Sequence, residues 1–151
     1  MAQVMDIIAR KNTHVHVIAP TASVLEATQV MNRHRIGALV VTQGKGMTEC
    51  DRVVGMFTER DVLTRVVSQR RDPETTRVEE VMTRDLAYCR PGMELEEVGA
   101  IMQQRRIRHM PVCDEDGGLR GMISIGDLNA WRAEGLDTTI QHLNEYIHGR
   151  G

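Results

Sequence analysis

Aromatic side chains are nearly missing from this chain: one Trp, one Phe and two Tyr make up 3% of its 151 residues. Proteins that hold single-stranded nucleic acid stack its bases on such rings. The formal net charge of −2 gives no general attraction to a phosphate backbone or an anionic membrane either. Nucleic acid is thus the weakest of the partner readings, and none is expected. Long apolar runs are lacking too; none approaches the ~18 residues that a membrane span needs. Residues 1–11 do not have the charged-then-apolar pattern of a secretory leader. Cysteine is scarce: Cys50, Cys89 and Cys113 are odd in number, widely spaced and form no Cys-x-x-Cys. They read as buried or incidental thiols of a reducing compartment, so the expected location is cytoplasmic. Finally, there is no Walker-type loop, no Gly-x-Ser-x-Gly and no paired-carboxylate motif, which argues against an enzyme.

What is present is an ordinary globular composition, 41% hydrophobic and 26% charged, with ten Met to fill the space that aromatics leave. The organising feature is a repeat. Val4-Met5-Asp6-Ile7-Ile8 matches Val78-Glu79-Glu80-Val81-Met82, an offset of 74 residues. Residues 23–34 match 94–105 at an offset of 71, with Val24, Ala27, Val30 and Met31 against Leu95, Val98, Ile101 and Met102. These apolar positions have the spacing of an amphipathic helix. Arg35-Ile36-Gly37-Ala38-Leu39-Val40-Val41 then matches Arg106-Ile107-Arg108-His109-Met110-Pro111-Val112 at the same 71. Residues 55–61 match 121–127 at an offset of 66, the difference falling in a turn that is longer in the first copy.

Each unit therefore reads as a short strand (around 15–18 or 86–89), helix, strand, hairpin turn, strand, helix. The fold class is α/β (α+β), a tandem duplicated β-α-β-β-α arrangement with pseudo-two-fold symmetry. Unit 1 spans 4–68, a polar linker 69–77, unit 2 78–133, and a helical tail 134–151. In the tail, Ile140, Leu143 and Ile147 form one apolar stripe, expected to pack on the body or a second subunit.

Both units close on one signature: Gly55-Met56-Phe57-Thr58-Glu59-Arg60-Asp61 and Gly121-Met122-Ile123-Ser124-Ile125-Gly126-Asp127. An apolar run leading into [Ser/Thr]-x-x-Asp marks a strand ending where a helix begins. The free amides of a helix start attract anions. A hydroxyl beside them can donate to phosphate, and the Asp can accept from a vicinal diol such as ribose. The plain alternative is a helix capping box.

With these motifs the chain resembles the CBS domain family, as a stand-alone tandem pair, over residues 4–131. The second copy is the sharper match, through Arg108-His109-Met110-Pro111-Val112 and 121–128; the first departs in having Val40 where Pro111 sits. The resemblance implies two clefts able to take adenine nucleotides: AMP in at least one, with NAD, ATP or ADP as alternatives and S-adenosylmethionine also in the family's range. It implies that Asp61 and Asp127 bind ribose and that Thr58 and Ser124 reach the phosphate. The backbone and apolar neighbours of Ala38, Leu39 and Val40, and of His109, Met110 and Pro111, would hold adenine. Ile18, Thr83 and Gly126 complete the binding set. Lys11, Arg60, Arg108 and His109 are the cations for phosphate, Arg by its planar fork. A homodimer, forming a disc of four units, and an effector protein that reads the ligand state are further implications. The family's role is regulatory and non-enzymatic.

Two other readings compete. His14-x-His16 places two rings on one face of a strand, yet two ligands fall short of the four of a structural zinc site, so no metal is expected. A protein-interaction module without nucleotide sensing is the remaining alternative.

Overall fold

The computed structural model describes residues 1–11, 15–44 and 49–147. The elements run α1 (Val4–Lys11), β1 (Val17–Ile18), α2 (Val24–His34), β2 (Ala38–Thr42), a 3-10 turn (Cys50–Arg52), β3 (Val53–Thr58) and α3 (Glu59–Asp61). A π-helical stretch (Val62–Val67) continues α3, followed by α4 (Val78–Val81), α5 (Leu95–Arg105), β4 (His109–Cys113), β5 (Leu119–Ser124) and α6 (Ile125–Ile147). The duplication is structural as well as textual. β2 and β3 pair antiparallel from Ala38–Thr58 to Thr42–Val53, and β4 and β5 from His109–Ser124 to Cys113–Leu119. Each hairpin has its irregularity at the equivalent place, Val41/Thr42 and Val112/Cys113.

Helices α2 and α5 end alike, on Arg35 and Arg106 in the left-handed conformation, each backbone N–H turned back onto the helix's last carbonyls. Ser23 caps the start of α2 by accepting from the Glu26 amide.

Two separate cores result, and the opening helices are exchanged between them. Val4 and Ile7 of α1 pack with Leu95, Met102, Met110 and Ile123 of unit 2. Val78, Val81 and Met82, which open unit 2, pack with Leu39, Val41 and Phe57 of unit 1. The backbone follows: the Val4 amide donates to Met93 O and the Val78 amide to Ala22 O, both at 2.9 Å. This exchange explains the glycine that opens each signature. A Cβ on Gly55 would lie 2.6 Å from Met82 Sδ and 2.8 Å from Thr83 O, and one on Gly121 would lie 2.5 Å from Ile8 Cδ1. The strand has no side chain there because the other unit's opening segment crosses it.

Four expectations need correction. The strand around 86–89 reduces to a single bridge, Cys89 to Val112. In unit 1 the Val40 amide donates to His16 O (3.2 Å); the equivalent residue in unit 2 is Pro111, which has no N–H. The helix over 61–68 is instead a short α-turn running into the π-helix. The tail is not a separate element, because α6 runs unbroken for 23 residues through it. Of the two packing partners expected for its stripe, the body is not one, because Ile140, Leu143 and Ile147 are exposed on this chain.

The expectation of three buried or incidental thiols also fails. Cys50 and Cys113 form a disulfide across a sequence separation of 63, and only Cys89 is free. The longer turn of unit 1 reaches the turn of unit 2, where the Cys50 amide donates to Gly117 O at 2.7 Å and Glu49 bridges Gly118. Cys89 is buried, and burial pushes its thiol up to about 12. No helix among the described residues is long and apolar enough to cross a membrane.

Candidate functional site

Both signatures do what a capping box does. The Thr58 amide and hydroxyl donate to Asp61 Oδ2 (3.0 and 3.2 Å), while the Asp61 amide donates back to Thr58 Oγ1 (3.3 Å). In unit 2 the Ser124 amide donates to Asp127 Oδ2 (2.8 Å) and the Asp127 amide to Ser124 Oγ (3.1 Å). The cap reading is therefore true of each, and it fixes both carboxylates at the end of a strand. The first turn is also tied to the neighbouring strand: the Glu59 amide donates to Gly37 O and the Ile125 amide to Arg108 O.

From there the two carboxylates diverge. Asp61 is almost fully buried; its Oδ1 accepts from Thr83 Oγ1 at 3.0 Å and has Arg65 Nε at 3.7 Å. The Arg65 guanidinium is anchored by donation to Met82 O (2.9 Å) and Val81 O (3.3 Å). Arg65 reaches there from the π-helix, a distortion often found beside functional sites. Asp127 instead holds the Lys11 ammonium at 3.0 Å, and the same ammonium donates to Met122 O at 2.9 Å. Lys11 thus sits on the second carboxylate.

A cleft of about 550 Å³ opens beside Asp61, within the range of small-molecule sites. One wall is unit 1: Met56, Thr58, Glu59, Arg60, Asp61, Leu63, Thr64 and Arg65. The other is unit 2: Thr83, Asp85, Leu86, Ala87 and the run from Arg105 to His109. Of the residues expected from the sequence, the cleft collects Thr58, Arg60, Asp61, Thr83, Arg108 and His109. Ile18 and Leu39 belong to the unit 1 core and Met110 to the unit 2 core. Ala38, Val40 and Pro111 are buried in their strands. Lys11, Ser124, Gly126 and Asp127 lie at the other signature, away from this cleft.

Leu86 and Ala87 line the cleft because Pro111 leaves that segment outside the sheet. His109 is pushed toward the neutral form by burial, with Glu59 and Asp127 pulling weakly the other way. His14 lies outside the described residues, while His16 stacks on His34 with ring centroids 4.0 Å apart. Among the described residues no group of three or more His, Cys, Asp or Glu is arranged to hold a metal ion.

The sequence reading missed Arg65, Arg105 and Arg106. The repeat aligns equivalent positions of the two units, whereas the cleft is lined by non-equivalent ones, 105–109 of one and 58–65 of the other. The signal was available only in the basic run Arg105-Arg106-Ile107-Arg108.

The CBS domain family model matches residues 4–68 and 78–134. The chain belongs to the CBS domain family. Among curated relatives, the CBS domain-containing protein YhcV of Bacillus subtilis is 37% identical over 117 residues, which are 77% of each chain. Other relatives are longer, the chain spanning 61% of an Arabidopsis thaliana one and 54% of a Methanopyrus kandleri one. A solved CBS-domain containing protein from Agrobacterium tumefaciens superposes with a TM-score of 0.78 at 36% identity, covering 87% of this chain and 99% of that one. A CBS domain protein from Pyrobaculum aerophilum, solved in complex with AMP, shares the fold at 22% identity and a TM-score of 0.73, over 83% of this chain and 89% of that one.

Proposed function

We propose that this CBS pair is a non-enzymatic regulatory module that binds an adenine nucleotide, AMP foremost, in the Asp61 cleft. The observation that carries this is the cleft's division of labour. A buried carboxylate and two hydroxyls, Asp61, Thr58 and Thr83, line it together with the nitrogen donors of Arg60, Arg108 and His109. Ribose hydroxyls suit the first group, phosphate oxygens the second, and Leu63, Leu86, Ala87 and Ile107 supply apolar wall for a purine. The AMP of the Pyrobaculum aerophilum protein is consistent with such a site.

At the other signature a nucleotide has to displace the Lys11 ammonium from Asp127, so occupancy of the Asp61 cleft comes first. NAD, ATP and ADP are the competing occupants. Titration calorimetry with AMP, ADP, ATP and NAD tests the reading. Asp61→Asn keeps the size of the cap but removes the charge, and AMP affinity should fall roughly 10- to 100-fold, as for loss of a charged hydrogen-bond acceptor. Unchanged affinity in a folded variant removes Asp61 from the site.

The module acts as a homodimer in this proposal. Leu63 and Val67 of the π-helix are 64% and 62% exposed, and Ile140 and Leu143 of α6 more than half exposed. Apolar faces of this size need cover. Light scattering should give the mass of two chains, and a monomer at all concentrations tested would end the dimer proposal.

A further inference from the structure

Five arginines line the Asp61 cleft, and most are already engaged. Arg65 is held by Asp61 and two carbonyls, Arg105 pairs with Asp85 at 3.1 Å, and Arg60 donates to Arg106 O at 3.2 Å. The guanidiniums of Arg106 and Arg108 make no hydrogen bond or ion pair among the described residues. Arg106 also stands where glycine is the easier residue. It ends α5 at φ 56°, in the left-handed region that a Cβ disfavours.

Such a conformation can be tolerated for the helix end alone, since a cation there suits the helix dipole; Arg35, at φ 53°, and Arg70, at φ 56°, do this outside the cleft. Arg106 differs in two ways: it lines the cleft, and its carbonyl anchors the Arg60 side chain from the opposite wall. At the equivalent places in the repeat the two positions are Arg35 and Gly37, so only the Asp61 cleft has a pair of free arginines two residues apart. Two planar forks lining one cleft can match the oxygens of a phosphate group, whose charge they would share.

We infer that Arg106 is a specificity-determining residue that reads the phosphate of the bound nucleotide. This rests on the nucleotide reading above and adds a residue that the reading does not need. Arg106→Gly should therefore separate stability from recognition. AMP affinity should fall at least tenfold, adenosine affinity should change less than twofold, and the unfolding midpoint without ligand should stay level or rise. Arg106→Lys, which keeps the charge but not the fork, should fall between wild type and Arg106→Gly for AMP.

Calorimetry with AMP and adenosine on the full chain, with thermal unfolding of the same samples, reads all three quantities. Equal AMP affinity in wild type and Arg106→Gly overturns the inference and leaves the nucleotide site standing. Parallel losses for AMP and adenosine overturn it too, since they mark a structural role. No binding of AMP or adenosine by the wild-type chain overturns the inference together with the reading beneath it.

Discussion

Reduction of the Cys50–Cys113 disulfide should lower the thermal midpoint on the order of 10 °C. The bond closes a loop across a sequence separation of 63. In the chain-entropy account, releasing such a loop gives the unfolded state about 4 kcal/mol of freedom, and for a chain of this length each kcal/mol moves the midpoint by roughly 2–4 °C. Among the described residues the two loops are also joined by the Cys50 amide to Gly117 O and by the bridge from Glu49 to Gly118. Thermal unfolding with and without a phosphine reductant measures the shift, and a thiol titration confirms opening. The Cys50→Ser, Cys113→Ser double variant should unfold at the reduced midpoint and ignore reductant. Identical midpoints for oxidised and fully reduced protein would show that the bond adds no stability. AMP binding should persist in the reduced protein, because the bond lies at the turn end of both hairpins. The cleft lies at the other end, where Ala38 meets Thr58 and His109 meets Ser124.

Phe57→Ala should be the most costly single substitution in unit 1. Phe57 is the chain's one Phe, and it is fully buried in the cluster with Leu39, Val41, Val66 and Val81. Removing a buried ring costs about 3–5 kcal/mol, part transfer energy and part cavity. A midpoint lower by roughly 6–20 °C follows. Phe57 lies next to Thr58, so Phe57→Leu serves as the comparison: it keeps most of the volume and should cost less than half as much. Chemical denaturation of both variants checks this; equal losses would mean that something other than packing volume sets the cost.

Much of this architecture was legible because the duplication is written in residue types with strong local meaning. Gly55 and Gly121, the hydroxyls Thr58 and Ser124, and Asp61 and Asp127 recur in matching surroundings, and each has one clear local task. The helices α2 and α5 followed from apolar periodicity. What was not legible was made between the copies. The disulfide joins Cys50 of one unit to Cys113 of the other, and no spacing rule links them. Arg65 and Arg106 meet across the same divide. The divergence of the two signatures also escaped, because Lys11 reaches Asp127 over a separation of 116 residues. The lost strand at 86–89 was within reach, since Pro111 is visible in the sequence and its missing N–H decides the matter.

The exchange of opening helices also bears on how such a chain came to be. A single ancestral repeat would have carried an arm that filled another molecule's core and a gap that only a second arm could fill. It would have been stable only as a pair, with two copies trading arms across a true two-fold axis. Fusion of two genes turned that bimolecular requirement into an intramolecular one and freed each half to drift. Lys11 on one carboxylate and Arg65 on the other are differences of the kind such drift would leave. The same logic predicts what a cut at the linker yields today: two fragments that fold poorly apart and reassemble when mixed.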